Sequence, residues 1–286
     1  MVDQADNLRR AVEEGPRARI LAVTSGKGGV GKTCVSVNLG IALVAQGART
    51  ILLDADLGLA NVEVLLGLNS LYDLQHVIEG RKSMDDILID GPGGLRVIPG
   101  SSGMAHVADI GPVGRQRVQD GLSDLQCRAD VIIIDTMAGI GQNAVAFCAS
   151  ADEVLFVTTP EPSSIVNVYA TIKTIHQMGS RAKFYLLINS VLSEEQARAV
   201  NAKLSRAIRE YLGREVHYLG FVSRDPHVSR AVMQSRPFTL QFPNASATRN
   251  IEDIAARLLN QQVDGRGGIQ GFFRRVAQNL GLAHTG

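Results

Sequence analysis

Residues 25–33 read SGKGGVGKT, and this stretch decides the fold of the chain. It fits the pattern G-x-x-x-x-G-K-S/T, lies directly after the apolar run ILAVTS and opens a helical pattern at about Lys32. Successive backbone N–H groups in such a strand–loop–helix unit form a concave nest for phosphate oxygens, and glycine lets the backbone come close without a Cβ clash. The stretch therefore predicts a phosphate-binding loop.

The side chains of this loop have separate expected roles. Lys32 is expected to lie against the β- and γ-phosphates of a nucleotide, and Thr33 to offer its hydroxyl to Mg²⁺. A second lysine, Lys27, is not explained by phosphate binding within the chain. The residues that we assign to nucleotide binding in this loop are Gly26, Lys27, Gly28, Gly29, Val30, Gly31, Lys32, Thr33 and Cys34.

Short β-branched apolar runs alternate with helical or loop patterns on both sides of this unit. The runs are RILAVTS, RTILLDA, LRVIPG, DVIIIDT, EVLFVTT, KFYLLIN and HYLGFV. This alternation predicts an α/β fold, a mostly parallel sheet with helices on both faces, and VIIIDT is the candidate for a central strand. Gly47 is expected to end the helix after the loop, while Ser193 is expected to begin a helix that ends near Gly213.

Composition narrows the class of protein. A chain of 286 residues with 45% hydrophobic content can bury a full core, and its net charge of +1 gives no sign of a domain that coats nucleic acid. Three cysteines without C-x-x-C spacing indicate neither a disulfide framework nor a paired-cysteine metal site. The polar start and the absence of 18 consecutive apolar residues lead us to expect a cytoplasmic protein that does not span a membrane.

Acidic residues follow two of the predicted strands. Asp135 ends the strand DVIIIDT and is a candidate Walker B carboxylate that holds Mg²⁺ directly or through water. Asp54 and Asp56 follow the strand ILL, where a loop at the carboxyl end of the sheet would overhang the phosphates. Three carboxylates in register with a phosphate loop favour a nucleotide site over isolated turn residues.

Lys27 in GKGGVGKT, the segment DADLGLANVE and the segment DTMAGI together resemble the deviant-Walker ATPases of the MinD and ParA family, over about residues 19–262. The resemblance implies a P-loop NTPase fold of the SIMIBI class that dimerises in ATP. It implies that Lys27 crosses the dimer interface and contacts the partner's nucleotide, a catalytic role like that of an arginine finger. The cofactors implied are ATP or ADP and Mg²⁺.

The same resemblance assigns the remaining site residues. It implies that Asp56 orients or activates the attacking water, that Asp54 and Asp135 support the Mg²⁺ site with Thr33, and that Asn189 contacts adenine. No N-K-x-D guanine signature follows Asn189, so ATP is expected rather than GTP.

Two positions depart from the family pattern. Cys34 stands where a hydroxyl residue is usual, and Met137 replaces the usual proline or glycine after Walker B. The cysteines also raise a rival hypothesis, a nitrogenase-type reductase whose dimer bridges an iron–sulfur cluster. Cys127 and Cys148 do not match the cysteine placement of that class, so buried structural thiols are the favoured interpretation.

Residues 1–18 form a polar leader ahead of the ATPase domain, which we place at residues 19–263. The leader DQADNLR resembles the D-Q-A-x-x-L-R motif of the FlhG subfamily, also called FleN, whose members regulate flagellar number and placement. That resemblance implies binding and stimulation of the signal-recognition-type GTPase FlhF, with flagellar transcription regulators or motor-switch components as further partners. The implied contact residues are Asp3, Gln4, Ala5, Leu8 and Arg9.

Residues 264–286 form a glycine hinge and a final amphipathic helix. An apolar stripe flanked by two arginines fits a helix that binds the inner membrane surface, but such stripes are most often packed on their own domain. Both arrangements can hold in different nucleotide states. The residues concerned are Ile269, Phe272, Phe273, Arg274, Arg275, Val276 and Leu280.

The favoured hypothesis is a cytoplasmic ATPase that cycles between a monomer and an ATP-bound homodimer on the membrane, with no direct contact to nucleic acid. One alternative is a ParA-like partition protein that coats DNA through Arg198, Arg206 and Arg209, although charges on a helix face are usually only solvated. The other alternative is placement of the division site as in MinD, against which the leader argues.

Overall fold

The computed structural model describes residues 18–56, 61–100, 112–261 and 268–281. Its centre is an eight-stranded sheet with the strand order β3-β4-β2-β5-β1-β6-β7-β8. The strands are β1 (Arg19–Ser25), β2 (Thr50–Ala55), β3 (Ile89–Asp90), β4 (Arg96–Ile98), β5 (Val131–Thr136), β6 (Glu153–Thr158), β7 (Lys183–Val191) and β8 (His217–Ser223). All neighbouring strands pair in parallel except β3 and β4.

All seven strands predicted from the apolar runs are confirmed. Every residue of β2, β5 and β6 is buried, as expected for strands that are covered on both faces. The strand VIIIDT lies between β1 and β2 and is therefore central, as predicted. The antiparallel β3 was not predicted, because two residues are too short to give a periodic signal.

Helices cover both faces of the sheet. They are α1 (Lys32–Ala45), α2 (Asn61–Leu66), α3 (Leu74–Ile78), α4 (Met84–Ile87), α5 (Pro112–Gln126), α6 (Gln142–Ser150), α7 (Pro162–Gln177), α8 (Glu194–Leu212), α9 (Pro226–Met233), α10 (Phe238–Gln241), α11 (Ser246–Leu259) and α12 (Gly268–Asn279), with a 3-10 turn at Pro92–Gly94. One apolar cluster joins the sheet to α5–α8 and α12, and a second joins it to α1, α10 and α11. The predicted three-layer α/β fold is confirmed.

Local capping explains where two of these helices begin or end. Ser193 accepts a hydrogen bond from the backbone N–H of Gln196 at the start of α8, and Gly213 adopts a left-handed conformation at its end. Gly47, with φ of 92°, follows the end of α1. The helix signals read from the sequence are therefore confirmed at these positions.

The C-terminal helix α12 packs against α5 and α6. Phe272, Phe273 and Val276 are buried in the core cluster, and the ring of Phe272 stacks on Phe147 of α6 at a centroid distance of 5.9 Å. Leu280 is partly buried against the same cluster. These four members of the predicted stripe thus face the domain, while the side chain of the fifth, Ile269, lies outside the described part of the structure.

Polar contacts also fix α12 to the domain. Nε of Arg275 donates to the carbonyl of Ser150 at 2.9 Å, and the guanidinium lies 3.5 Å from Asp152. The side-chain amide of Asn279 donates to Oγ of Ser150 at 3.0 Å. Arg274, in contrast, is exposed. The predicted leader motif and the predicted glycine hinge lie outside the described residues, apart from Ala18 and Gly268 at their edges.

Within the described ranges, no helix combines the length and apolar character that crossing a lipid bilayer requires.

Candidate functional site

The phosphate loop lies at the carboxyl edge of the sheet, between β1 and α1. Gly29 and Gly31 adopt φ values of 78° and 87°, the left-handed region that favours glycine. The N–H groups in the first turn of α1 have no carbonyl partner within the helix, and they carry its positive dipole end. The loop is therefore built to receive an anion.

Two glycines of the loop are required by close contacts. A Cβ on Gly26 would lie 2.2 Å from the carbonyl carbon of Asn167 in α7. A Cβ on Gly31 would lie 2.4 Å from Nδ2 of Asn189 at the end of β7. The loop is thus held tightly between two neighbouring elements, whereas a Cβ on Gly28 would meet nothing within 4 Å.

Lys32 is the buried cation of the site. Its Nζ lies 2.9 Å from Oδ1 of Asp135, 4.0 Å from Asp56 and 3.4 Å from the hydroxyl of Thr33. Ser36, one turn along α1, donates to the same Asp135 oxygen at 2.7 Å. The sequence-predicted residues Lys32, Thr33, Asp56 and Asp135 therefore converge on one point.

Asp54 and Asp135 are register partners on the adjacent strands β2 and β5. Asp54 is fully buried, and its two oxygens accept hydrogen bonds from the backbone N–H groups of Asp56 at 3.0 Å and Val62 at 3.3 Å. Burial, reinforced by the charge of Asp135, raises the pKa of Asp54 to about 7. The side-chain amide of Asn61 donates to Asp56 at 3.3 Å, which orients that carboxylate.

The donor set fits a magnesium ion. Oδ2 of Asp135 is buried and has no hydrogen-bond partner among the described residues, so it is an acceptor left open within the site. A buried acceptor of this kind is costly unless something binds it. The hydroxyl of Thr33 lies in the same group of side chains, and carboxylate and hydroxyl oxygens suit Mg²⁺. Thr33 and Asp135 are therefore residues that could hold the metal.

Lys27 lies apart from this cluster. Its Nζ pairs with the carboxylate of Glu161 and lies 3.3 Å from the hydroxyl of Ser163, both at the start of α7. About one third of the Lys27 side chain is exposed. The two lysines of the loop therefore lie in different environments. Lys32 faces the buried acidic cluster, and Lys27 lies at the surface.

Asn189 lies beside the loop, at the end of β7. Its Nδ2 donates to the carbonyl of Val30 at 2.8 Å, and its Oδ1 accepts from the N–H of Ser190 at 2.8 Å. Both polar ends of its side chain are thus engaged within the protein.

The three cysteines differ in their surroundings. Burial raises the pKa of the Cys34 thiol to about 12 and that of Cys148 to about 11, so both thiols stay protonated at neutral pH. Cys148 is buried, as interpreted, whereas Cys34 is half-buried and Cys127 is exposed, so the interpretation as a buried thiol is wrong for Cys127. It follows α5 in a loop at the surface, where no packing constraint hides it.

Four residues of the site were missed by sequence reasoning: Ser36, Asn61, Glu161 and Ser163. Ser36 lies four positions after Lys32 on one helix face, a spacing that could have indicated it. Glu161 and Ser163 follow the carboxyl end of β6, the same edge that carries the other site residues. Among the basic residues considered for DNA, Arg198 pairs with Glu194 at 2.6 Å, while Arg206 and Arg209 are exposed.

Comparison with known proteins is consistent with this site. Residues 21–238 match the family model described as the CobQ/CobB/MinD/ParA nucleotide binding domain. The antiactivator FleN of Pseudomonas aeruginosa is 40% identical over 91% of this chain and 94% of its own length. The flagellum site-determining protein YlxH of Helicobacter pylori is 32% identical over 92% of this chain and 91% of its own length.

Solved structures show the same fold. A chain of the MinC:MinD cell division protein complex of Aquifex aeolicus aligns with a TM-score of 0.68 and 28% identity, over 87% of this chain and 99% of that chain. The septum site-determining protein MinD complexed with Mg-ADP from Pyrococcus horikoshii aligns with a TM-score of 0.70 and 23% identity, over 85% of this chain and 96% of that chain.

The contact at Gly26 leads to a stability prediction. We expect Gly26→Ala to lower the free energy of unfolding by about 1–3 kcal/mol, because its Cβ would overlap the backbone of α7. Gly28→Ala is the matched control, since its Cβ meets no atom within 4 Å. Urea unfolding of both variants without nucleotide makes the comparison, and equal stabilities would show that the loop does not pack on α7 as described.

Proposed function

The chain belongs to the MinD/ParA family of nucleotide-binding proteins, and on that premise we propose that it is an ATPase that switches between a monomer and an ATP-bound dimer to regulate flagellar number or placement. The flagellar role is supported by the likeness to FleN and YlxH over nearly the whole chain. The switch is supported above all by Lys27, a loop lysine that lies away from the buried cluster of its own site.

The proposed chemistry uses residues that are already grouped. Thr33 and Asp135 would hold Mg²⁺, which neutralises charge on the phosphates when bound. The Nζ of Lys32 lies 2.9 Å from Asp135, beside the phosphate loop. On nucleotide binding, Lys32 would leave this carboxylate and bind phosphate oxygens instead. Asp56, oriented by Asn61, would accept a hydrogen bond from the attacking water and align it with the γ-phosphate.

Adenine recognition by Asn189 remains part of the proposal. The residue lies at the carboxyl end of β7, where nucleotides bind in open α/β sheets. Its amide is engaged with Val30 and Ser190, so contact with a base requires one of these hydrogen bonds to be exchanged. The nucleotide is proposed to be ATP rather than GTP.

Lys27 is proposed to act on the nucleotide of a second subunit. Its pair with Glu161 is between two partly exposed side chains, and such a pair contributes only about 0–1 kcal/mol. A triphosphate with its higher charge is therefore a stronger partner for the ammonium group than Glu161 is. Dimerisation in ATP would bring that triphosphate to Lys27, much as an arginine finger is supplied in trans.

We predict that Lys27→Ala retains nucleotide affinity within about threefold but loses ATP-dependent dimerisation and about 100-fold or more of the hydrolysis rate, because the missing cation acts across the interface. Light scattering after gel filtration in ATP and in ADP measures the dimer. Lys173→Ala, which removes an exposed lysine further along α7, is the matched control. Normal dimerisation and turnover by Lys27→Ala would remove the proposed role in trans.

The leader is proposed to bind and stimulate an FlhF-type GTPase through Asp3, Gln4, Ala5, Leu8 and Arg9. This proposal is supported by the likeness of DQADNLR to the motif of the flagellar subfamily and by the relatives named above. A flagellar transcription regulator or motor-switch component would be a further partner.

Deletion of residues 1–17 is predicted to leave ATP hydrolysis within about twofold of the full chain and to abolish stimulation of the GTPase, because every residue proposed to bind or hydrolyse ATP lies between positions 26 and 189. Gln4→Ala is the point variant, and Gln261→Ala near the other end of the chain is the control. GTP turnover by the partner is the readout. Equal stimulation by the full and shortened chains would contradict the proposal.

The protein is proposed to be cytoplasmic and to bind the membrane through α12 in its ATP state. This binding requires α12 to leave the domain. Burial of Phe272, Phe273 and Val276 is worth about 1.5–3 kcal/mol per side chain, and a bilayer interface returns part of this. Each arginine adds about 1 kcal/mol near anionic lipid. When α12 leaves, the apolar groove around Phe147 is exposed to water. The net free energy gained by moving a single helix to the membrane is therefore small. Two helices on one dimer bind together and gain by avidity.

A disulfide that fixes α12 tests this proposal. The side chains of Ser150 and Asn279 are in contact, and the double variant Ser150→Cys with Asn279→Cys is designed to cross-link these positions when oxidised. In an Asp56→Ala background with ATP, we expect the oxidised protein to dimerise but to pellet with anionic liposomes at least about tenfold less than the reduced protein.

The single variant Ser150→Cys, oxidised in parallel, is the control for nonspecific oxidation. Equal pelleting of the oxidised and reduced double variant would show that the helix need not detach. No pelleting of the reduced protein in ATP would end the membrane proposal itself, while the dimer measured in the same sample still reports on the ATP switch.

A further inference from the structure

Asp54 and Asp135 lie side by side, yet their oxygens are used differently. Asp135 has one oxygen engaged by Lys32 and Ser36 and the other without a partner in the described part of the chain. Asp54 has both oxygens engaged by backbone N–H groups, those of Asp56 and Val62. Two neighbouring carboxylates of equal burial are therefore not equivalent at this site.

The two hydrogen bonds of Asp54 join two backbone positions that are six residues apart, Asp56 and Val62. Asp56 lies where β2 ends, and Val62 lies in the first turn of α2. A carboxyl group that accepts from two backbone N–H groups holds those two groups at a fixed separation.

The backbone at Asp54 is itself held in place. A Cβ on Gly100 would lie 2.3 Å from the carbonyl oxygen of Asp54 and 3.2 Å from its Cβ, so the chain after β4 lies directly against it. Asp54 also pairs in register with Asp135 in the centre of the sheet. A residue fixed on these two sides is a rigid support for the loop that it binds.

We propose that Asp54 is a positioning residue that clamps Asp56 to the first turn of α2 at Val62, and that it is not a ligand of the metal. The interpretation from family resemblance, in which Asp54 supports Mg²⁺ together with Asp135, predicts different behaviour. This inference rests on the proposed role of Asp56 in hydrolysis. Since both oxygens of Asp54 are engaged, a metal bond would have to break one of the loop contacts.

Asp54→Asn tests the proposal, because it keeps the shape of the side chain but places an NH₂ group against one of the two N–H donors. We expect the amide protons of Asp56 and of residues 62–66 to exchange at least about tenfold faster. We expect kcat to fall at least about tenfold with KM within about threefold. The Mg²⁺ concentration for half-maximal binding of a fluorescent ADP analogue should stay within about twofold of the wild type.

Asp135→Asn is the matched variant on the neighbouring strand. It is expected to raise the Mg²⁺ requirement at least about tenfold, because it neutralises the residue with the open oxygen. A similar increase in the Mg²⁺ requirement of Asp54→Asn would contradict the proposed clamp and would identify Asp54 as part of the metal site. Unchanged exchange and unchanged kcat in Asp54→Asn would also overturn it.

Val62→Pro is a second test of the clamp, and its urea unfolding is measured beside that of Asp54→Asn because Val62 is buried in the apolar core. It removes the N–H donor at the far end of the loop without altering any carboxylate, and proline is tolerated in the first turn of a helix. The clamp predicts faster exchange at Asp56 and lower kcat with unchanged Mg²⁺ dependence here too. Amide hydrogen exchange and ADP binding can be measured without ATP hydrolysis. A wild-type protein that fails to hydrolyse ATP would therefore refute the proposed function, while these two measurements would still test the clamp.

Discussion

The buried pair of Lys32 and Asp135 is the interaction on which the rest of the site depends. A buried ammonium group is expensive unless a partner compensates its lost hydration, and Asp135 at 2.9 Å is that partner. Ser36 satisfies the same carboxylate oxygen from one turn further along α1. The pair thereby joins the first helix to the central strand β5, and it fixes the phosphate loop between them.

The parallel sheet explains why so many polar groups meet at this point. Carboxyl ends of parallel strands share one edge, so the ends of β1, β2, β5, β6 and β7 bring the loop, the carboxylates, Glu161 and Asn189 together although they are far apart in sequence. The strands themselves need only apolar side chains to remain buried. Function is therefore concentrated at the carboxyl ends of the strands, where the buried Asp54 and Asp135 are the last polar positions before the core becomes apolar.

Sequence reasoning recovered the seven longer strands, the phosphate loop and the three site carboxylates because each has a local signature: an unbroken apolar run, fixed glycine spacing, or an acidic strand end. It did not recover the pair of Lys27 and Glu161, which are separated by 134 positions and meet only through the strand order. Nor could it decide where α12 lies, because a groove on the domain and a lipid surface select the same apolar stripe.

The arrangement of α6 links the nucleotide site to the C-terminal helix. The loop after β5 touches the phosphate-loop strand through the N–H of Gly139, which donates to the carbonyl of Ser25 at 2.7 Å, and α6 begins directly after this loop. Three residues before its end, α6 presents Phe147 to Phe272. Since packed interiors move between discrete arrangements rather than deform continuously, a shift of this loop on phosphate binding would move the surface on which α12 rests. The helix α12 also contacts β1, the strand that leads directly into the phosphate loop, so both α6 and β1 connect the two regions that the proposed switch must couple.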